Sequence, residues 1–159
     1  IDILATLGGA SVGDHDHVKA ALGERGMALG FWTIAMRPGK PLVHGRIGPV
    51  HVLGFPGNPV STYVCARLFL EPLVDALLGR PPGPTFETAT LAVAMAANDH
   101  REDFVRASLA GGPGAWLATP FATQDSSMQS ALARADALVR RAANAGNARP
   151  GEVVEILRL

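Results

Sequence analysis

Several short stretches carry the residue types that hold an anion. In GGASVGD (residues 8–14) an apolar run ends and a helix-like pattern begins. Gly8, Gly9 and Gly13 allow positive φ and close approach of the backbone to a ligand. Exposed amides at a helix start make a ready place for negative charge. In RPGKP (residues 37–41) Arg37 and Lys40 bracket a Pro-Gly turn that ends in Pro41, which keeps two cations near one point, as an oxyanion requires. In GFPGNPVS (residues 54–61) Pro56 and Gly57 precede a helix start, with Asn58 as N-cap, Pro59 at its first position and the Ser61 hydroxyl in its first turn. Asp14 and Asp16, within GDHDH, are oxygen donors of the kind Mg2+ prefers. Further on, Arg106 sits in the strand-like DFVRASL, and Ser126 in the hydroxyl-rich TQDSSMQS. Each feature has a plainer competitor: a glycine-rich turn, a solvated basic turn, a well-capped helix, an aspartate N-cap, a surface arginine.

Elements to position these residues follow from periodicity. IDILATL reads as a buried parallel strand, and DHDHVKAALGERG as a helix stopped by Gly26. LGFWTIAM reads as the next strand, and PLVHGRIGPVHVLGF as strand, turn and buried strand. NPVSTYVCARLFLEPLVDALLG predicts a long helix ended by Gly79, with Pro72 kinking or splitting it. GRPPGPT cannot continue a helix and marks a domain boundary, giving domains 1–82 and 83–159. Beyond it TFETATLAVAMAA, DFVRASLA, AWLATPFA, DALVRR and EVVEILRL read as strands of a small barrel or sandwich, with SMQSALARA as a short helix.

Composition narrows the function classes. Net charge is zero, which argues against nucleic acid or an anionic membrane as partner. The single cysteine, Cys65, excludes an internal disulfide framework and a cysteine zinc cluster, and its apolar setting reads as a buried thiol. The histidines lack zinc-ligand spacing. No apolar run is long enough to span a bilayer, and no signal peptide is visible. The chain opens on IDILATLGG without an initiator methionine, and reads as part of a longer protein.

In order and spacing, TLGGASVGDHDHVKAAL, FWTIAMRPGKPLVHG and GFPGNPVSTYVCARLFLEPLV resemble the C-terminal half of the MoeA family, the molybdopterin molybdenumtransferases, which is similar to the E domain of gephyrin. Residues 84–159 resemble the small C-terminal barrel of that family through DFVRASL and QDSS. The resemblance implies an α/β then all-β fold: part of a three-layer, MogA-like molybdopterin-binding α/β domain, then a small β-barrel. It implies Mg2+-dependent release of AMP from adenylylated molybdopterin, with insertion of molybdenum from molybdate. Asp16, Arg37 and Lys40 would be catalytic, and Asp14 and Asp16 the metal ligands. Gly8, Gly9, Ser11, Gly13, Pro41, Pro56, Gly57, Asn58, Pro59, Ser61, Arg106 and Ser126 would bind substrate. Thr33 stands where many members have lysine, and Arg37 where lysine is common. The implied partners are a MogA-like adenylyltransferase and, in a full-length homodimer, a second subunit that completes the cleft. The implied place is the cytoplasm, and this chain by itself is expected to bind anions weakly without turnover. A gephyrin-like scaffold module and another MogA-like pterin- or nucleotide-binding enzyme are the alternatives.

Overall fold

The computed structural model describes residues 1–8, 17–125 and 128–159. They form two compact units, one of residues 1–34 and 39–83, the other of residues 35–38 and 84–159.

The first unit is mixed α/β. Its sheet has the order β1 (Ile3–Leu7), β5 (Val50–Phe55), β4 (Val43–Ile47), β2 (Ala28–Phe31). β1 runs parallel to β5, while β4 is antiparallel to both β5 and β2. Gly48, at φ +56°, begins the two-residue turn that joins β4 to β5, where a tight hairpin requires positive φ. Helix α1 (His17–Glu24) ends in a Schellman turn: Gly26 N–H donates to Gly23 O and Met27 N–H to Leu22 O.

Two expectations for this unit need correction. β1 is parallel, but among the described residues it lies at the edge of its sheet and is not buried, with Leu7 76% exposed. LGFWTIAM is not a single strand. Its pairing with β4 shifts between Leu29 and Phe31, β2 ends there, and Met36–Arg37 form β3 beside a strand of the other unit. Ile34 N–H donates to Lys40 O at 3.0 Å and closes the neck of this excursion. Burial of Met36 at 4% exposure gives a hydrophobic reason for the chain to make it.

The long helix forms as α2 (Pro59–Cys65), one π-helical stretch (Ala66–Leu70) and α3 (Glu71–Leu77). The α-helical pattern is thus interrupted by a π-helical stretch just ahead of Pro72. Proline has no N–H to donate, and the wider π turn, in which Glu71 N–H reaches Ala66 O, re-registers the helix ahead of it. A second Schellman turn closes α3, with Gly79 N–H on Ala76 O and Arg80 N–H on Asp75 O.

The second unit is a barrel. β6 (Phe86–Leu91), β7 (Glu102–Ala110), β8 (Trp116–Pro120), β9 (Ala137–Arg141) and β10 (Val153–Arg158) close in the order β7-β8-β6-β10-β9-β7. β3 lies parallel beside the start of β7, on Glu102 and Asp103, while β8 pairs with its other end. Inward positions pack Ala89, Ala107, Ala118, Ala137, Val139 and Ile156. The strand expected through Ala97 stops at Leu91, although Met95 still bridges Ala148. The short helix is present as α4 (Gln129–Ala133).

Candidate functional site

The carboxyl ends of β1 and β5 lie at one edge of the sheet, because the two strands are parallel and in register from Ile3–His51 to Leu7–Phe55. In open α/β sheets ligands bind beyond such an edge. Gly8, at φ +78°, continues the edge by donating its N–H to Phe55 O at 3.0 Å. Gly57 comes so close that a Cβ built on it would lie 3.6 Å from Gly8 Cα. Two glycine-bearing loops thus touch backbone to backbone. β4 begins at the same edge, since Val43 pairs with Gly54, so Lys40 and Pro41 arrive there just ahead of it.

Helix α2 rises from this edge. Asn58 is its N-cap: the backbone is extended, and its Oδ1 accepts from Ser61 N–H at 3.2 Å. Pro59 takes the first helical position. Thr62 donates its hydroxyl to Pro56 O at 2.5 Å and reaches Asn58 O at 3.0 Å, which fixes the Pro-Gly bend against the helix. The Ser61 hydroxyl donates to Asn58 Oδ1 at 3.4 Å, and the residue is buried. One turn further, the Cys65 thiol points at Gly39 O, 3.8 Å away, and ties the lysine-bearing loop to α2. Burial pushes the Cys65 thiol up to about 12, which keeps it protonated and unreactive. The Lys40 side chain is exposed, while its carbonyl accepts from Ile34 and Leu42.

The structure brings Gly8, Lys40, Pro41, Pro56, Gly57, Asn58, Pro59 and Ser61 to one sheet edge. Gly9, Ser11, Gly13, Asp14, Asp16 and Ser126 lie outside the described residues. Among the described residues no three His, Cys, Asp or Glu side chains gather as a metal site.

Arg37 and Arg106 belong to the barrel unit. Arg37 is fastened to Asp103 through Nε at 2.9 Å and Nη2 at 2.5 Å, and its Nη1 lies 3.8 Å from Asp99. The Asp99 carboxyl is held far below its usual range, chiefly by hydrogen bonds from Arg101. Arg106 is only 2% exposed. Its Nε donates to Gln124 Oε1 at 3.3 Å, Nη2 to Asp125 O at 2.9 Å and Nη1 to Met128 O at 3.1 Å. Burial draws its guanidinium below the ordinary arginine value, with Asp125 opposing. Arg106 thus holds the carbonyls of Asp125 and Met128.

Other groups escaped sequence reasoning. His44 and His51 approach to 3.3 Å on neighbouring strands, and burial, then His51, then Arg46 lower the His44 value. Asp103 and Arg141 face each other across β7 and β9. A signal was present in DFVRASLA: Asp103, Val105, Ala107 and Leu109 share one face, so the carboxylate extends an apolar row.

The site thus belongs to a two-unit chain, a mixed α/β unit with glycine loops at a parallel sheet edge joined to a five-stranded barrel. A family model described as a probable molybdopterin binding domain matches residues 1–76, and one described as the MoeA C-terminal region (domain IV) matches residues 88–159. The chain belongs to the MoeA family. It is 32% identical over 158 residues to the molybdopterin molybdenumtransferase of Bacillus subtilis, covering 99% of this chain and 37% of that protein. The molybdenum cofactor synthesis protein cinnamon of Drosophila melanogaster is 30% identical over 159 residues, covering 96% of this chain and 26% of the relative. The crystal structure of the MoeA protein from Pyrococcus horikosii superposes with a TM-score of 0.75 at 26% identity, over 98% of this chain and 36% of that one. The chain thus spans between 26% and 37% of the length of these relatives.

Proposed function

We propose that this chain serves molybdenum cofactor biosynthesis, as part of a protein that inserts molybdate into adenylylated molybdopterin with release of AMP. The observation that carries the proposal is the backbone contact of Gly8 with Gly57 at the sheet edge where Lys40 arrives. Apposed glycines leave the backbone amides bare of Cβ atoms, and a dianion such as molybdate takes its hydrogen bonds from amides and a lysine ammonium. Lys40 supplies charge from the rim, Asn58 and Pro59 set the helix start, and Thr62 and Cys65 hold the loops. Arg106 acts by holding Asp125 and Met128, and Arg37 carries its charge beside Asp103. Mg2+, when bound, would neutralise charge on the phosphoryl oxygens, and Asp14 and Asp16 are the residues proposed to hold it. The family's names for its members support the reaction class. A cytoplasmic place, a homodimer and supply of substrate by a MogA-like adenylyltransferase belong to the same reading. No helix among the described residues is long and apolar enough to cross a membrane.

Because the chain spans only 37% of its Bacillus relative, turnover is assigned to the longer protein rather than to these residues alone. The test is complementation. The Bacillus relative carrying this chain in place of its matching region should restore molybdoenzyme activity to a MoeA-deficient strain, and the same chimera with Lys40→Ala should not. A folded chimera that fails to restore activity, or AMP release by the isolated chain, would count against the assignment.

A further inference from the structure

The end of the barrel where β7 begins holds a cavity of about 600 Å³. Its wall is built from a row of registered residues on three adjacent strands. Arg37 pairs with Asp103 from β3 to β7, and Asp103 pairs with Arg141 from β7 to β9. Registered residues project to the same side of a sheet. Here that side is the interior, since Val105–Val139 and Ala107–Ala137 are the next pairs along it. Towards the opposite end stands Trp116, whose Nε1 donates to Glu87 at 2.9 Å and over which Arg158 lies. One end therefore carries an aromatic ring, while the other is lined by charge.

The charges at the open mouth do not cancel. Asp103 is engaged by Arg37 through both oxygens. Asp99 is engaged by Arg101 at 2.6 Å, with Arg37 Nη1 at 3.8 Å. Arg141 is left as a third guanidinium facing two carboxylates already taken. It is only 7% exposed, and its Nη2 donates to the carbonyls of Gly146 and Ala96. Its Nε is buried and has no hydrogen-bond partner among the described residues. Asn98, also on the cavity wall, donates through Nδ2 to the carbonyls of Arg101 and Ala142, both at 2.9 Å. Those bonds fix its amide, so Oδ1 is the atom turned away, and it too is buried without a partner among the described residues. Leaving a buried cationic N–H and a buried carbonyl unpaired is costly. Met95, Val105 and Phe121 supply apolar walls around them.

We propose that this barrel mouth is a binding site for a small organic anion, one anionic oxygen group on an apolar body, held by Arg141. The anionic oxygens accept from Arg141 Nε–H and offset the surplus positive charge. A donor on the ligand, or a water it carries, meets Asn98 Oδ1. The apolar body rests on Met95 and Phe121. All of these residues belong to the barrel unit.

Titration of the 159-residue chain by calorimetry and by NMR distinguishes the sources of such an anion. Benzoate probes a carboxylate, phenyl phosphate a phosphoryl group, and benzamide is the neutral control. Benzoate or phenyl phosphate should bind saturably and shift the barrel-mouth amides, with benzamide at least about tenfold weaker. Arg141→Met should weaken the binding by about tenfold or more. Because loss of a buried arginine can unfold the barrel, Ala94→Asp serves beside it. Ala94 is an exposed residue of the cavity wall, and a carboxylate there should abolish anion binding while the barrel keeps its melting temperature. Absence of binding by both anions, equal binding of benzamide, or binding that survives Ala94→Asp would overturn the proposal and leave the orphan atoms to water.

Discussion

If Arg106 holds the polar loop after β8, its removal must be felt as stability. Its guanidinium makes three hydrogen bonds at 2.9–3.3 Å, to Gln124 Oε1, Asp125 O and Met128 O, at 2% exposure. Hydrogen bonds from a charged donor contribute roughly 1.5–3 kcal/mol each, but water recovers part of that once the side chain is gone. Arg106→Ala should therefore cost the barrel roughly 3–5 kcal/mol, at the severe end for a single substitution. Arg106→Lys keeps the charge but loses the planar fork, and should cost roughly 1–3 kcal/mol. Two units need not unfold together, so the assay is urea denaturation read from barrel amides by NMR rather than from one global signal. In native-state amide exchange the β7 and β9 amides should lose protection while those of β5 keep it. An alanine variant within about 0.5 kcal/mol of the parent would refute the reasoning, because that is what a solvated surface arginine shows.

Other consequences follow from single contacts. Asn58→Ala should destabilise the first unit by about 1 kcal/mol in denaturation, by loss of the cap on Ser61 N–H. Gly111→Ala should cost roughly 1–3 kcal/mol, because φ is +93° and the new Cβ would meet Ala115 O at 2.5 Å, whereas Gly112→Ala, with open space around it, should stay within about 0.5 kcal/mol. His44 is held below its ordinary value of 6.5, so the unfolded chain binds the proton more readily than the folded one. Its contribution to stability is therefore present above 6.5 and is lost as pH falls through that value towards the folded one; His44→Gln should flatten this dependence in melting curves at successive pH values.

What the sequence made legible was local. Asn58-Pro59, Gly26 and Gly79 act within a few residues of themselves, and each punctuates the helix it was expected to punctuate. The barrel strands were legible for the same reason, as alternating or apolar runs between glycine turns. LGFWTIAM misled because its second half is chosen by a partner strand that begins 66 residues after Met36, at Glu102. Among the candidate site residues, the spacing of the loops carried Gly8, Gly57 and Lys40 to one edge, since parallel β1 and β5 must end together. The bond partners of Arg37 and Arg106 were not legible. Arg37 meets a carboxylate 66 positions away, and two of the three acceptors of Arg106 are main-chain carbonyls, which no residue type announces.

The central claim is that the glycine loops and Lys40 form an oxyanion site at the sheet edge. Titrating molybdate into the 159-residue chain, with backbone amides followed by NMR, addresses it most directly. The account predicts weak, saturable shifts at Gly8, Gly57 and Ser61, lost in Lys40→Ala while the unfolding free energy stays within about 0.5 kcal/mol of the parent. Amides that ignore molybdate, or a Lys40→Ala variant that loses stability as fully as it loses binding, would contradict it.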